Sequence, residues 1–145
     1  MKELLDLGAA PRMLFLVDEP QAVRAQLRGE LPAIDMARLR DDVSTDEITP
    51  VAIMSHYDER LGEFVYTGFA AGGELPVQRR AVKSADIRVV VAGRRYGKGS
   101  SREHSPAAEK HAGIRLVIAE SFERIYRQNA DNIGLITSTD FSIVE

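Results

Sequence analysis

Cysteine is absent from all 145 residues. That rules out disulfides, cysteine-held zinc and a thiolate cage for an iron–sulfur cluster built from this chain alone. Histidine is scarce: only His56, His104 and His111 occur. Three scattered imidazoles are not expected to form a metal site, so metal ligands are expected on another chain. Long apolar runs are also missing, and nothing approaches the ~20 residues needed to span a bilayer. The opening stretch, MKELLDLGAAPRMLFLVDEP, has a short apolar segment at 13–17 only. A secretory leader needs a longer one and a small-residue cleavage site. A cytoplasmic chain without membrane attachment is therefore expected. Strong basic charge is lacking too, the formal net charge being −3, which argues against a general nucleic-acid binder.

What remains is ordinary for a globular chain: 44% hydrophobic and 28% charged residues, enough for one domain with a true core. Residues 1–40 read as a distinct N-terminal segment, whether extra layer, linker or docking element, ahead of a domain over 41–145. Within that segment, PRMLFLV suits a strand. DEPQAVRAQLRGE suits a helix with Asp18 as cap and Pro20 in the first turn. Residues 41–84 are dense in turn signals and fit irregular β structure better than helix.

Beyond residue 84 the pattern sharpens. IRVVVAG and IRLVIAE are near-continuous apolar runs of the kind that form buried strands. Each is followed by a helical stretch ending in glycine, at Gly113 and Gly134. Strand, helix, strand, helix at this spacing predicts a parallel β-α-β-α unit. The fold class expected is α/β, with this unit on a mixed β core.

Ligands of such units gather where a strand's C-terminal end meets the next helix. That junction is GRRYGKGSSREH, residues 93–104. Gly97 and Gly99 permit a tight turn and close backbone approach. Ser100 and Glu103 fit a capping box, and a helix start offers free N–H groups to an anion. Arg94, Arg95, Lys98 and Arg102 place four cations within nine residues. The pattern favours a small polyanion, a di- or tricarboxylate or a phosphate. A nucleotide P-loop fails twice: three residues, not four, separate Gly93 from Gly97-Lys98, and Gly99 follows the lysine. A dinucleotide fingerprint fails at Arg102. On spacing alone, a capped helix with solvated arginines is an equal alternative.

GKGSSREHSPAAEKHAGIRLVIAESFERIYRQNADNIGL resembles the signature of the aconitase and 3-isopropylmalate dehydratase superfamily. DDVSTDEITP resembles the Asp-x-x-Thr-Asp-x-Ile-x-Pro motif that opens its small, swivelling domain. The two motifs occur in family order over 41–135. The resemblance implies a swivel-type small subunit or domain of a hydro-lyase that dehydrates and rehydrates a hydroxy di- or tricarboxylate, such as isopropylmalate, citrate or homocitrate. Its separate small chain leans toward isopropylmalate dehydratase and leucine biosynthesis, and its Ser-Thr-Asp-Glu motif toward aconitase. It also implies a [4Fe–4S] cluster on a large partner subunit or domain, with no cofactor on this chain. By the same resemblance Ser100 is the proton-abstracting base, Arg102 forks onto a substrate carboxylate, and Ser101 and Gly99 contact substrate. Thr45 and Asp46 match the family's Thr-Asp pair, which implies substrate binding for Thr45 and a catalytic supporting role for Asp46, with a turn in which Ser44, Thr45 and Asp46 bond their own backbone as an equal and compatible alternative. Arg60 is the nearest candidate for a further substrate arginine, and Glu47 stands where aconitases often carry histidine. Further strands are expected after Asn-x-Gly-Leu, where this sequence has TSTDFSIVE, so the N-terminal forty residues replace them or the chain is a piece of a fused protein. The alternative is a non-catalytic anion-binding or regulatory module retaining the fold.

Overall fold

The computed structural model describes residues 12–49, 59–99 and 104–144. Four strands form one sheet: β1 (Arg12–Phe15), β2 (Ile87–Ala92), β3 (Leu116–Ala119) and β4 (Ile136–Ser138). They lie in the order β1-β2-β3-β4, and each neighbouring pair is parallel. Helix α4 (His104–His111) carries the chain from β2 to β3, and α5 (Arg124–Ile133) from β3 to β4. The α/β unit is as the apolar runs predict, and the sheet of described residues is parallel throughout.

The runs are continuous because both faces of the sheet are covered. Val90, Ala92, Val117 and Ala119 point into the main core, with Leu14, Leu16, Val23 and Ile114. Val89, Val91, Leu116 and Ile118 form a smaller cluster on the other face, roofed by Met13, Phe15, Ile136 and Phe141. Gly134 ends α5 in the left-handed region at φ +83°, where Leu135 N–H returns to the Ala130 carbonyl.

Helix α1 (Pro20–Leu27) follows β1, with Pro20 in the first turn as expected. The expected cap differs. Glu19 occupies the N-cap position without a side-chain bond, because the helix begins at the proline itself. Asp18 instead accepts the Gly72 N–H at 2.7 Å. β1 pairs along β2, and Leu14, Leu16 and Val17 are fully buried, so residues 12–17 are integral to the core.

The middle portion is more helical than its turn signals suggest. It contains α2 (Thr45–Ile48), a 3-10 turn (Glu59–Glu63) and α3 (Ala81–Ser84). Ser44 starts α2 with a complete capping box, its hydroxyl accepting from Glu47 N–H and the Glu47 carboxylate accepting from Ser44 N–H. Four residues after a strong cap thus close a turn where apolar alternation is absent. Among the described residues, no helix is long and apolar enough to cross a membrane.

Candidate active site

The loop after β2 lies along the C-terminal edge of the sheet and is stitched to the chain on both sides. On one side, Arg94 N–H donates to Asp41 Oδ1 at 2.7 Å, Gly97 N–H to the Val43 carbonyl at 2.8 Å, and Thr45 N–H to the Lys98 carbonyl at 2.8 Å. On the other, Tyr96 N–H donates to the Ser121 carbonyl and Glu123 N–H to the Tyr96 carbonyl, both at 3.0 Å. Residues 94–98 are therefore held between the Asp-Asp-Val-Ser-Thr segment and the stretch leading into α5.

Two glycines are required by this geometry. Gly97 has φ +87°, and a Cβ there would overlap Tyr126 Cβ and Cγ and lie 2.8 Å from its Cδ1. Gly99 has φ +119°, and its Cβ would come within 3.1 Å of Thr45 Oγ1. The structure thus brings together Thr45 and Gly99, which stand 54 positions apart in the chain. Ser105, in the first turn of α4, ties the same point down by donating to the Thr45 carbonyl at 3.2 Å.

Thr45 is buried, and Asp46 is exposed on the first turn of α2. Arg60 is exposed on the 3-10 turn, whose Gly62 presses against His111 and Ala112 at the C-terminal end of α4. Thr45 meets α4 at its opposite end. Ser100, Ser101 and Arg102 lie outside the described residues, as do Glu103, the expected partner in the capping box, and His56. The described chain reaches Gly99 at the rim of a cleft of about 200 Å³, lined also by Gly97, Glu123, Arg124 and Ile125.

Most of the positive charge that the sequence concentrates in the loop is neutralised locally. Arg95 forks onto Asp42 with bonds of 2.5 and 2.8 Å, and Lys98 stands 3.7 Å from the same carboxylate. Arg94 pairs with Asp41 at 3.6 Å and Glu120 at 3.9 Å. The Arg95 hydrogen bond leads the pull on Asp42, whose carboxyl is held down at about 2. Glu47, at the position where aconitases often have histidine, is a brace: it accepts from Arg40 at 2.8 Å and from Ala70 N–H at 3.1 Å.

Sequence reasoning did not single out the polar centre behind the loop. Glu109 is fully buried and accepts from the hydroxyls of Tyr66, Tyr96 and Tyr126. Burial pushes its carboxyl up to about 7, the three hydroxyl bonds opposing. The signal was a charge on an inward stripe: Ser105, Ala108, Glu109 and Ala112 share one helix face, and all four are buried.

A parallel sheet whose glycine-rich strand-to-helix loop is bonded to a capped Ser-Thr-Asp turn defines an α/β domain, and the loop lies at the C-terminal edge where ligands of such sheets gather. A model of the aconitase C-terminal domain matches residues 40–139. The chain belongs to that family. It is 46% identical over 96 residues to an isopropylmalate/citramalate isomerase small subunit of Methanocaldococcus jannaschii, covering 66% of this chain and 53% of the relative. It is 46% identical over 99 residues to a methanogen homoaconitase small subunit of Methanothermobacter thermautotrophicus, covering 68% and 54%. A crystal structure of 3-isopropylmalate dehydratase from M. jannaschii superposes with a TM-score of 0.57 at 36% identity, covering 72% of this chain and 60% of that one. The chain spans about half the length of the curated relatives it matches.

Proposed function

We propose that this chain is the swivel-type part of a hydro-lyase that dehydrates and rehydrates a small hydroxy di- or tricarboxylate of the isopropylmalate, citrate or homocitrate class. The observation that carries the proposal is the junction of the two motifs: Thr45 N–H bonded to the Lys98 carbonyl at 2.8 Å, one residue short of Gly99 and the Ser100-Ser101-Arg102 run. That bond holds the Thr-Asp turn against the glycine loop and brings the two motifs to one place. Relatives that are small subunits of an isopropylmalate/citramalate isomerase and of a homoaconitase support a substrate of this class.

The roles follow from side-chain chemistry. Ser100 takes the proton from the carbon beside the substrate carboxylate, and its hydroxyl needs a field that favours the alkoxide. Backbone N–H groups at the start of α4 and the Arg102 guanidinium supply that field. Arg102 holds a carboxylate in a bidentate fork that lysine does not reproduce. Ser101, Gly99 and Thr45 contact substrate and Asp46 supports the catalytic groups, whereas Arg60, on the turn at the far end of α4 from Thr45, is given no substrate role. A [4Fe–4S] cluster, which the family implies, does not fit this chain. The sequence has no thiolate to offer, and among the described residues no three His, Asp or Glu side chains converge. We therefore assign the cluster to a large partner subunit or domain, and departure of the substrate hydroxyl to no residue of this chain. A cytoplasmic location belongs to the same proposal.

Anaerobic reconstitution with a cluster-bearing large subunit, followed by alkene absorbance with isopropylmalate, citrate and homocitrate, tests it. Turnover that requires both chains is expected with at least one substrate. Silence with all three, from an intact cluster and a formed complex, overturns the hydro-lyase reading in favour of a non-catalytic anion-binding module.

A further inference from the structure

Three oxygens meet at the inner end of α4. Glu109 Oε2 is 2.5 Å from the Tyr66 hydroxyl and 2.5 Å from the Tyr96 hydroxyl, and the two hydroxyls are 2.6 Å apart. Oε1 takes the Tyr126 hydroxyl. The triangle has three short edges, and tyrosine protons can fill only two of them. An ionised Glu109 leaves one oxygen pair in contact with no hydrogen between them. A protonated Glu109 supplies the third hydrogen and closes the ring.

Each tyrosine comes from a different element, and two of them bear on the loop. Tyr96 belongs to it, and the Tyr126 ring from α5 fills the space where a Gly97 side chain would be. Tyr96 and Tyr126 also meet edge to face, with centroids 5.1 Å apart. Tyr66 follows the 3-10 turn and donates its N–H to the Ile48 carbonyl at the end of α2. One carboxyl therefore links the loop, α2 and α5. Of the charged groups on the surrounding elements, Glu63 pairs with Arg79 and Arg80, Glu47 with Arg40, Lys110 bonds the Ile133 carbonyl, and Arg127 bonds Thr137.

We propose that Glu109 is a positioning residue: its protonated carboxyl closes a ring with Tyr66 and Tyr96, grips Tyr126, and so fixes the glycine-rich loop that delivers Ser100. Its catalytic consequence rests on the hydro-lyase reading above, whereas its structural consequence does not. Burial raises the Glu109 carboxyl to about 7, so the ring opens when pH rises through neutrality. Glu109→Gln keeps the size and offers amide hydrogens to the ring at every pH.

Amide hydrogen exchange at Tyr96, Gly97 and Lys98, corrected for intrinsic rates and read from pH 5.5 to 8.5, tests the proposal on this chain directly. Wild-type protection is expected to fall roughly tenfold across neutrality, the one closing hydrogen bond donated by the buried, protonated carboxyl being worth about that factor. Glu109→Gln is expected to give a flat profile. In the reconstituted enzyme, kcat of the wild type falls over the same interval, with KM moving less. Parallel profiles in wild type and variant overturn the positioning role. Should the variant not fold, the wild type decides alone, a flat profile overturning it. If no substrate turns over at any pH, the hydro-lyase reading fails and the exchange profile still judges Glu109.

Discussion

Alanine at position 97 adds one methyl group at a confined point of the loop. Two costs are separable there. The backbone sits at φ +87°, which a residue with a Cβ occupies at about 1–2 kcal/mol. The methyl also overlaps Tyr126, whose ring is fixed by the Glu109 bond, by Tyr96 edge to face and by Phe122 stacked at 6.0 Å. Overpacking a locked ring costs a further ~1–3 kcal/mol. Gly73 isolates the first cost, since it has φ +80° with nothing within 4 Å of an added Cβ. Gly73→Ala is expected to destabilise by about 1 kcal/mol and Gly97→Ala by about 3–4 kcal/mol. Thermal unfolding of both variants converts these to falls of roughly 2–4 °C and 6–16 °C. Equal shifts would mean that Tyr126 moves aside freely, and that the clamp behind the loop is not rigid.

Further outcomes follow from the same contacts. Glu109 has a raised native carboxyl, so the folded state binds more protons than the unfolded one between its ordinary value of 4.5 and about 7. Its contribution is complete below that window and is lost as pH rises through it, about 3 kcal/mol in all, read as a falling urea midpoint that Glu109→Gln abolishes. Glu47→Ala leaves Arg40 and Ala70 N–H without their carboxylate and costs about 2–3 kcal/mol in the same denaturation assay. In the reconstituted enzyme, Arg102→Lys raises KM about tenfold or more, because an ammonium replaces a planar fork. An unchanged KM would remove Arg102 from carboxylate binding.

What the sequence makes legible is what local physics determines. β2 and β3 show as apolar runs because both faces of each strand are covered, and the ends of α4 and α5 show because Gly113 and Gly134 sit at positive φ. The loop is recognisable from its two glycines, yet its electrostatics are not. Asp42 and Arg95 are 53 positions apart, and nothing local announces that the acid will quench the cation. α2 is hidden for a related reason: its four residues depend on Ser44 and Glu47 capping each other, with no apolar period to reveal them. The Glu109 centre is legible only in part. The helix face exposes the anomaly of a buried acid, while the three hydroxyls that satisfy it come from positions 66, 96 and 126.

The most direct test of the central claim is kcat of the reconstituted enzyme with Ser100→Ala, measured at saturating substrate beside the wild type. If Ser100 abstracts the proton, kcat falls about 10²–10⁴-fold while KM and complex formation stay close to wild type. Turnover undiminished by the loss of this hydroxyl would contradict the account.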